Sequence, residues 1–168
     1  MNTPERGSPT KRNFMTRVTE QRLHDELFEA EKKLRETSQA IGEGAGISSD
    51  WHDNFAFEQA NRDFEFYSSV KALIKRQLED REIITPREET GDVGIGNQVV
   101  VMLEDESYPE TFTILGVSDA TMGSDWISCE SPLGSSLLDK KTGDVVDFLV
   151  EKIVRHAKII EIRPGEGF

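Results

Sequence analysis

A single cysteine, Cys129, stands in 168 residues. No internal disulfide can form, and no multi-cysteine zinc site is available. Long apolar runs are missing too. Hydrophobic residues make up 36% of the chain, yet no stretch approaches the roughly 18–20 consecutive apolar residues of a membrane-spanning helix. The N-terminus has no apolar segment of the secretory type. A cytoplasmic protein with no membrane partner is the expectation. Cations are in short supply: 20 Lys and Arg face 32 Asp and Glu, for a net charge of −12. Generic nucleic-acid binders present a basic surface to the phosphate backbone. Free DNA or RNA would repel this chain as a whole, so any work near nucleic acid requires another protein to bring it there. His24, His52 and His156 are scattered without metal-ligand spacing. No nucleophile-elbow motif is present, and Gly94-Ile95-Gly96-Asn97 lacks the lysine of a phosphate loop.

The remaining charge is unevenly placed. Residues 85–168 hold 16 acids and 7 bases, whereas residues 1–84 hold 16 and 13. The first half is therefore mixed, as solvated helices are, and the acidity lies in the second. Residues 1–14 carry Pro4, Gly7 and Pro9 among polar groups and read as a flexible tail. From about Thr16, Leu23, Leu27, Ala30, Leu34 and Ile41 recur at steps of four and three, with Thr37 in the one remaining position. Gly42, Gly44 and Gly46 then end the helix, each costing about 1 kcal/mol relative to alanine. A second helix is expected from about Asp50 to Ile83, with Phe57, Ala60, Phe64, Tyr67, Ile74 and Leu78 in the same rhythm and Lys71 interrupting it. Pro86 closes it. Two singly striped helices joined by a short glycine loop fold back as an antiparallel hairpin, a rod on the order of 40 Å long. After a linker at 85–96, short β-prone runs separated by turns indicate a small antiparallel sheet: Gln98–Leu103, Thr111–Val117, Trp126–Glu130, Asp144–Val150 and Lys158–Ile162. A short helix is expected at Ser135–Leu138. The expected organisation is α+β: tail 1–14, coiled-coil hairpin 15–84, linker 85–96 and β-rich domain 97–168.

At the turn of the hairpin, Asp50 and Asp53 are three residues apart at the start of a helix, so both carboxylates can share one side. An acid at a helix start caps backbone N–H groups and suits the positive end of the helix dipole. That purely structural role explains the pair locally. Placed at the far end of a rod, the same two hard oxygen ligands also suit Mg²⁺, which takes one or two carboxylates with waters and phosphates. Alone they make an incomplete site, one that another protein would have to finish.

The stretch Asp50-Trp51-His52-Asp53-Asn54-Phe55-Ala56-Phe57 resembles the tip motif of the GreA/GreB transcript-cleavage factors. In that motif an Asp, two variable residues, a Glu, an Asn-Ala and an aromatic begin the second helix. The segment Ile127-Ser128-Cys129-Glu130-Ser131-Pro132-Leu133-Gly134-Ser135-Ser136-Leu137-Leu138-Asp139-Lys140-Lys141-Thr142-Gly143-Asp144 is similar to that family's most recognisable run. The resemblance covers roughly residues 15–163. It implies an FKBP-like fold for the β-rich domain and a monomeric factor whose hairpin enters the secondary channel of bacterial RNA polymerase. It also implies that Asp50 and Asp53 help hold a Mg²⁺ shared with the polymerase active site, so that backtracked RNA is cut, with only indirect contact between this chain and nascent RNA. On this reading the protein is not itself an enzyme; it stimulates the polymerase's own nuclease activity. Ser131, Pro132 and Leu133 become a partner-binding surface, although locally they read as a turn between a strand and a short helix. No aromatic pocket supports prolyl isomerisation. Three features depart from the pattern: Asp53 stands where the family carries Glu, Phe57 where it usually carries Tyr, and Phe55 and Trp51 make this tip bulkier than usual. A channel-binding regulator or inhibitor without cleavage activity therefore stays open, as does a coiled-coil adaptor unrelated to transcription.

Overall fold

The computed structural model describes residues 12–44, 51–104 and 106–168. The chain divides into two units, Glu20–Glu79 and a second made of the residues up to Thr19 together with Asp80–Phe168.

The first unit is a pair of helices of equal length, α1 (Arg17–Gly44) and α2 (Trp51–Leu78), whose opening turn in α1 belongs to the other unit. They run antiparallel. Lys71 Nζ lies 3.0 Å from Glu31 Oε1, and farther along α1 the stretch from Leu34 to Gln39 faces Phe64. Leu23, Ala30, Ala60, Ile74 and Leu78 are buried along the expected seam. The seam is looser than its spacing suggests. Leu27, Leu34, Ile41, Phe57 and Tyr67 are half-buried, and Phe64 is 39% exposed. The cause is visible in the composition of the facing rows: the Glu31–Lys71 ion pair and the polar Ser38 and Gln39 hold the helices around an open groove of about 590 Å³. α1 also runs on through Gly42 to Gly44, beyond the expected stop at Ile41.

The second unit carries β1 (Asn13–Met15) and β2 (Arg81–Ile83), which pair in parallel, and a five-stranded sheet with one short helix. The sheet comprises β3 (Gln98–Leu103), β4 (Glu110–Leu115), β5 (Trp126–Ser128), β6 (Val145–Val150) and β7 (Ile153–Arg163), in the order β5-β4-β3-β7-β6. Every pairing is antiparallel except β4 with β5. The helix, α3 (Pro132–Leu137), lies against β5 and β6. One face of the sheet supplies the core: Val99, Val101, Ile114, Val146, Phe148, Ala157, Ile159 and Ile162 pack with Leu137 and Val93. Each such aliphatic side chain contributes about 1.5–3 kcal/mol on burial. The α+β architecture expected from the pattern is the one observed.

Several boundaries move. Asn13 and Phe14, assigned to the tail, form a strand with Met15; residues 1–11 lie outside the described residues. The second helix ends at Leu78, not Ile83. Asp80 adopts φ +49°, a left-handed conformation that helices do not continue through, and Arg81–Ile83 pair with β1. Residues 85–96 do not behave as a loose linker: Val93 is fully buried, and the Asn97 amide donates to the carbonyls of Arg87, Glu89 and Arg163. β7 begins five residues before the expected Lys158, because the chain reverses through Glu151 and Lys152, both at positive φ.

Candidate functional site

Asp53 is the third residue of α2, in its opening turn. Asp50 lies outside the described residues, and the structure fixes Asp53 through its backbone alone. Counting along α2, Asp53 falls four residues before Phe57 and seven before Ala60. It therefore occupies the row that farther along becomes the apolar seam. At 1.5 Å per residue, that position is about 38 Å along the axis from Leu78, where α2 ends. Just beyond it the surface turns aromatic: Phe55 is 69% exposed, with the Arg62 guanidinium 6.0 Å from its ring centre. Phe57 is half-buried, and its carbonyl accepts from the Asn61 amide at 3.0 Å. Among the described residues no group of three or more His, Cys, Asp or Glu is arranged to hold a metal ion. As donors, two aspartates fit a hard cation such as Mg²⁺, provided the remaining ligands come from elsewhere.

The Ser131-Pro132-Leu133-Gly134 turn is built for rigidity. Ser131 is the N-cap of α3: its Oγ accepts from Gly134 N at 3.0 Å and donates to Ser128 O at 2.7 Å. Pro132 takes the first helical position, where its missing N–H costs nothing. Gly134 is buried, and a Cβ there would stand 2.1 Å from Ser128 O, so no side chain is admissible without moving the backbone. Of the three residues expected to meet a partner, Pro132 is exposed, the Ser131 hydroxyl is engaged in the cap, and Leu133 packs against the sheet's core. The outward surface of the turn is Pro132 flanked by Glu130 and Ser135.

A third feature has no counterpart in the sequence reading. Asp119 is fully buried and accepts from Thr16 N at 3.0 and 3.2 Å, from Thr16 Oγ1 at 2.8 Å and from Gly116 N at 3.2 Å. Thr16 in turn accepts from Thr19 N at 3.2 Å, capping the first turn of α1. The Thr19 hydroxyl reaches Met122 Sδ at 3.1 Å. A loop of the β-rich unit therefore grips the start of α1, and the chain passes Gly116 so closely that a Cβ there would meet Phe14 O at 1.7 Å. No local pattern marks Asp119; it reads as one more polar turn residue.

Comparison with known proteins fixes the family. Residues 87–164 match the family described as "Transcription elongation factor, GreA/GreB, C-term". The transcription elongation factor GreA of Thermotoga maritima is 30% identical over 153 residues, 90% of this chain and 97% of the relative. That of Thermoanaerobacter pseudethanolicus is 35% identical over 117 residues, 68% of this chain and 73% of the relative. The chain belongs to the GreA/GreB family of transcription elongation factors. Among solved structures, Thermus aquaticus Gfh1 is 21% identical, covering 92% of this chain and 99% of that one, with a TM-score of 0.41. A score that low leaves the GreA/GreB assignment to the sequence relatives, which span both the helix pair and the β-rich unit. Among the described residues no helix is long and apolar enough to cross a membrane.

Proposed function

We propose that this Gre-type factor binds bacterial RNA polymerase and brings Asp50 and Asp53 into the polymerase active centre through the secondary channel, stimulating cleavage of backtracked RNA. The observation that carries this reading is the position of Asp53: the opening turn of α2, about 38 Å along that helix from Leu78. The chain's own contribution is a pair of carboxylates three positions apart in sequence, the second of them, Asp53, in the opening turn of α2. Bound there, a second Mg²⁺ would stabilise the attacking and leaving oxygens of an in-line displacement. The rigid turn at Ser131-Pro132-Leu133-Gly134, with Pro132 outermost, supplies a docking surface on the polymerase. The protein acts as one copy per polymerase and is not a nuclease by itself, since two carboxylates leave a metal site incomplete. With a net charge of −12, it reaches RNA only through the enzyme it enters.

One specific feature favours the rival reading, in which the factor occupies the channel without cutting. Asp53 is one methylene shorter than the family's Glu, and misplacement of a catalytic group by about 1 Å can cost on the order of 100-fold in rate. A transcript-cleavage assay on stalled elongation complexes separates the two. Shortening of the RNA by the wild-type chain, lost in Asp50→Ala and Asp53→Ala, supports cleavage. Unchanged RNA length with slowed synthesis establishes the inhibitor.

A further inference from the structure

The sheet face turned away from the core carries a row of polar and aromatic residues that the reading above does not use. Gln98 on β3, Thr113 on β4 and Trp126 on β5 stand directly opposite one another across three adjacent strands. Thr111 lies two residues from Thr113 on the same face of β4. Together with Asp125 and Glu166 these residues line a cavity of about 410 Å³. Thr113 is only 3% exposed. Among the described residues its hydroxyl has no hydrogen-bond partner, although its backbone N–H donates to Asp125 O at 2.7 Å. That hydroxyl keeps access to the cavity, where a donor brought in from outside can meet it. The walls say what that would be. No lining residue is cationic and two are acidic; the next residue in the row, Arg163 on β7, is held at 2.6 and 2.9 Å by Glu161. Trp126 contributes an indole wall, in edge-on contact with Phe168 at 6.5 Å.

We propose that this cavity binds a guanidinium group, the side chain of an arginine presented by a partner protein. A guanidinium is flat enough to stack on an indole and carries five N–H donors in one plane. The acceptors here are of matching kind: two carboxylates, the Thr111 and Thr113 hydroxyls and the Gln98 carbonyl. An ammonium has three donors converging on a point and makes less use of that set. The surplus of acid over base in residues 85–168 draws a cationic partner toward this half of the chain.

The test uses the full chain carrying Trp51→Phe, so that Trp126 is the sole tryptophan and can be excited selectively, titrated with short capped peptides centred on arginine, lysine or citrulline. The arginine peptide is expected to shift Trp126 emission saturably with a Kd on the order of 1 mM. The lysine peptide should bind several-fold more weakly and the uncharged citrulline peptide not at all. Thr113→Val and, independently, the exposed Glu166→Gln should each weaken arginine binding by about tenfold. The proposal is overturned by no saturable response, by an equal response to citrulline, by tighter binding of lysine, or by Glu166→Gln binding as wild type does.

Discussion

Asp119 shows how much one buried carboxylate can organise. Three donors from two distant stretches, the Thr16 N–H and hydroxyl and the Gly116 N–H, converge on its two oxygens. Replacing it by alanine leaves them buried and unmet, and Asp119→Ala should destabilise the protein by on the order of 3 kcal/mol in urea unfolding; a loss below about 0.5 kcal/mol would remove the anchoring role. His156 makes a different prediction. Its Nδ1 lies 2.7 Å from Asp147 Oδ1 and its Nε2 3.8 Å from Glu104 Oε2. The hydrogen bond to Asp147 raises its pKa, opposed in part by desolvation and helped by the charges of Asp147 and Glu104. A raised folded-state pKa stabilises the protein below the unfolded histidine value of about 6.5 and loses that contribution as pH rises through the folded value. His156→Gln should therefore flatten the fall in unfolding midpoint from about pH 6.5 upward; an unaltered profile would show that the contact contributes nothing. At this scale the sequence was partly legible. Asp50 and Asp53 stand out because two acids at a helix start follow a glycine run. Asp119, Thr16 and the Gln98–Thr113–Trp126 row do not, because their meaning comes from partners roughly 15 to 100 positions away.

The helix pair was readable from its spacing of four and three, and so were the cores of the strands from their β-branched runs. Its tightness was not readable, since periodicity says which residues share a row but not how well two rows fill the space between them. Glu31 is held below the usual carboxylate range by its hydrogen bond to Lys71, and the pair sits on the seam beside an open groove. Replacing both by leucine removes an exchange of two charges for one contact and extends the apolar stripe. The double variant Glu31→Leu with Lys71→Leu should melt at a higher temperature than wild type, and a lower melting point would contradict this account of the groove. Element ends were misread where side-chain chemistry gives no warning. Helical residue types continue past Leu78, yet Asp80 turns left-handed and the chain enters a strand. The β6–β7 reversal uses Glu151 and Lys152 at positive φ, where glycine or asparagine is the usual signal. The start of β7 was missed for that reason.

At the scale of the whole molecule, acidity and division of labour belong together. A chain of net charge −12 cannot rely on attraction to nucleic acid, and a pair of carboxylates without further ligands cannot rely on its own metal. Both features make sense if the catalytic surroundings belong to a larger partner, and the proposed cleavage role assigns those surroundings to RNA polymerase. α+β architecture and family were legible early because the segment from Ile127 to Asp144 is long and distinctive. What lay beyond reach was the internal support of that segment: the Ser131 cap, the obligatory Gly134 and the inward packing of Leu133 emerge only once the strand and helix on either side are placed. The most direct test of the central claim is the Mg²⁺ dependence of transcript cleavage by stalled polymerase, measured with and without the factor. The account predicts that the wild-type chain lowers the Mg²⁺ concentration needed for half-maximal cleavage, and that Asp50→Asn and Asp53→Asn bind polymerase normally but lose this effect. Cleavage that needs the same Mg²⁺ with the factor as without it, or that is unaltered by either substitution, would contradict it.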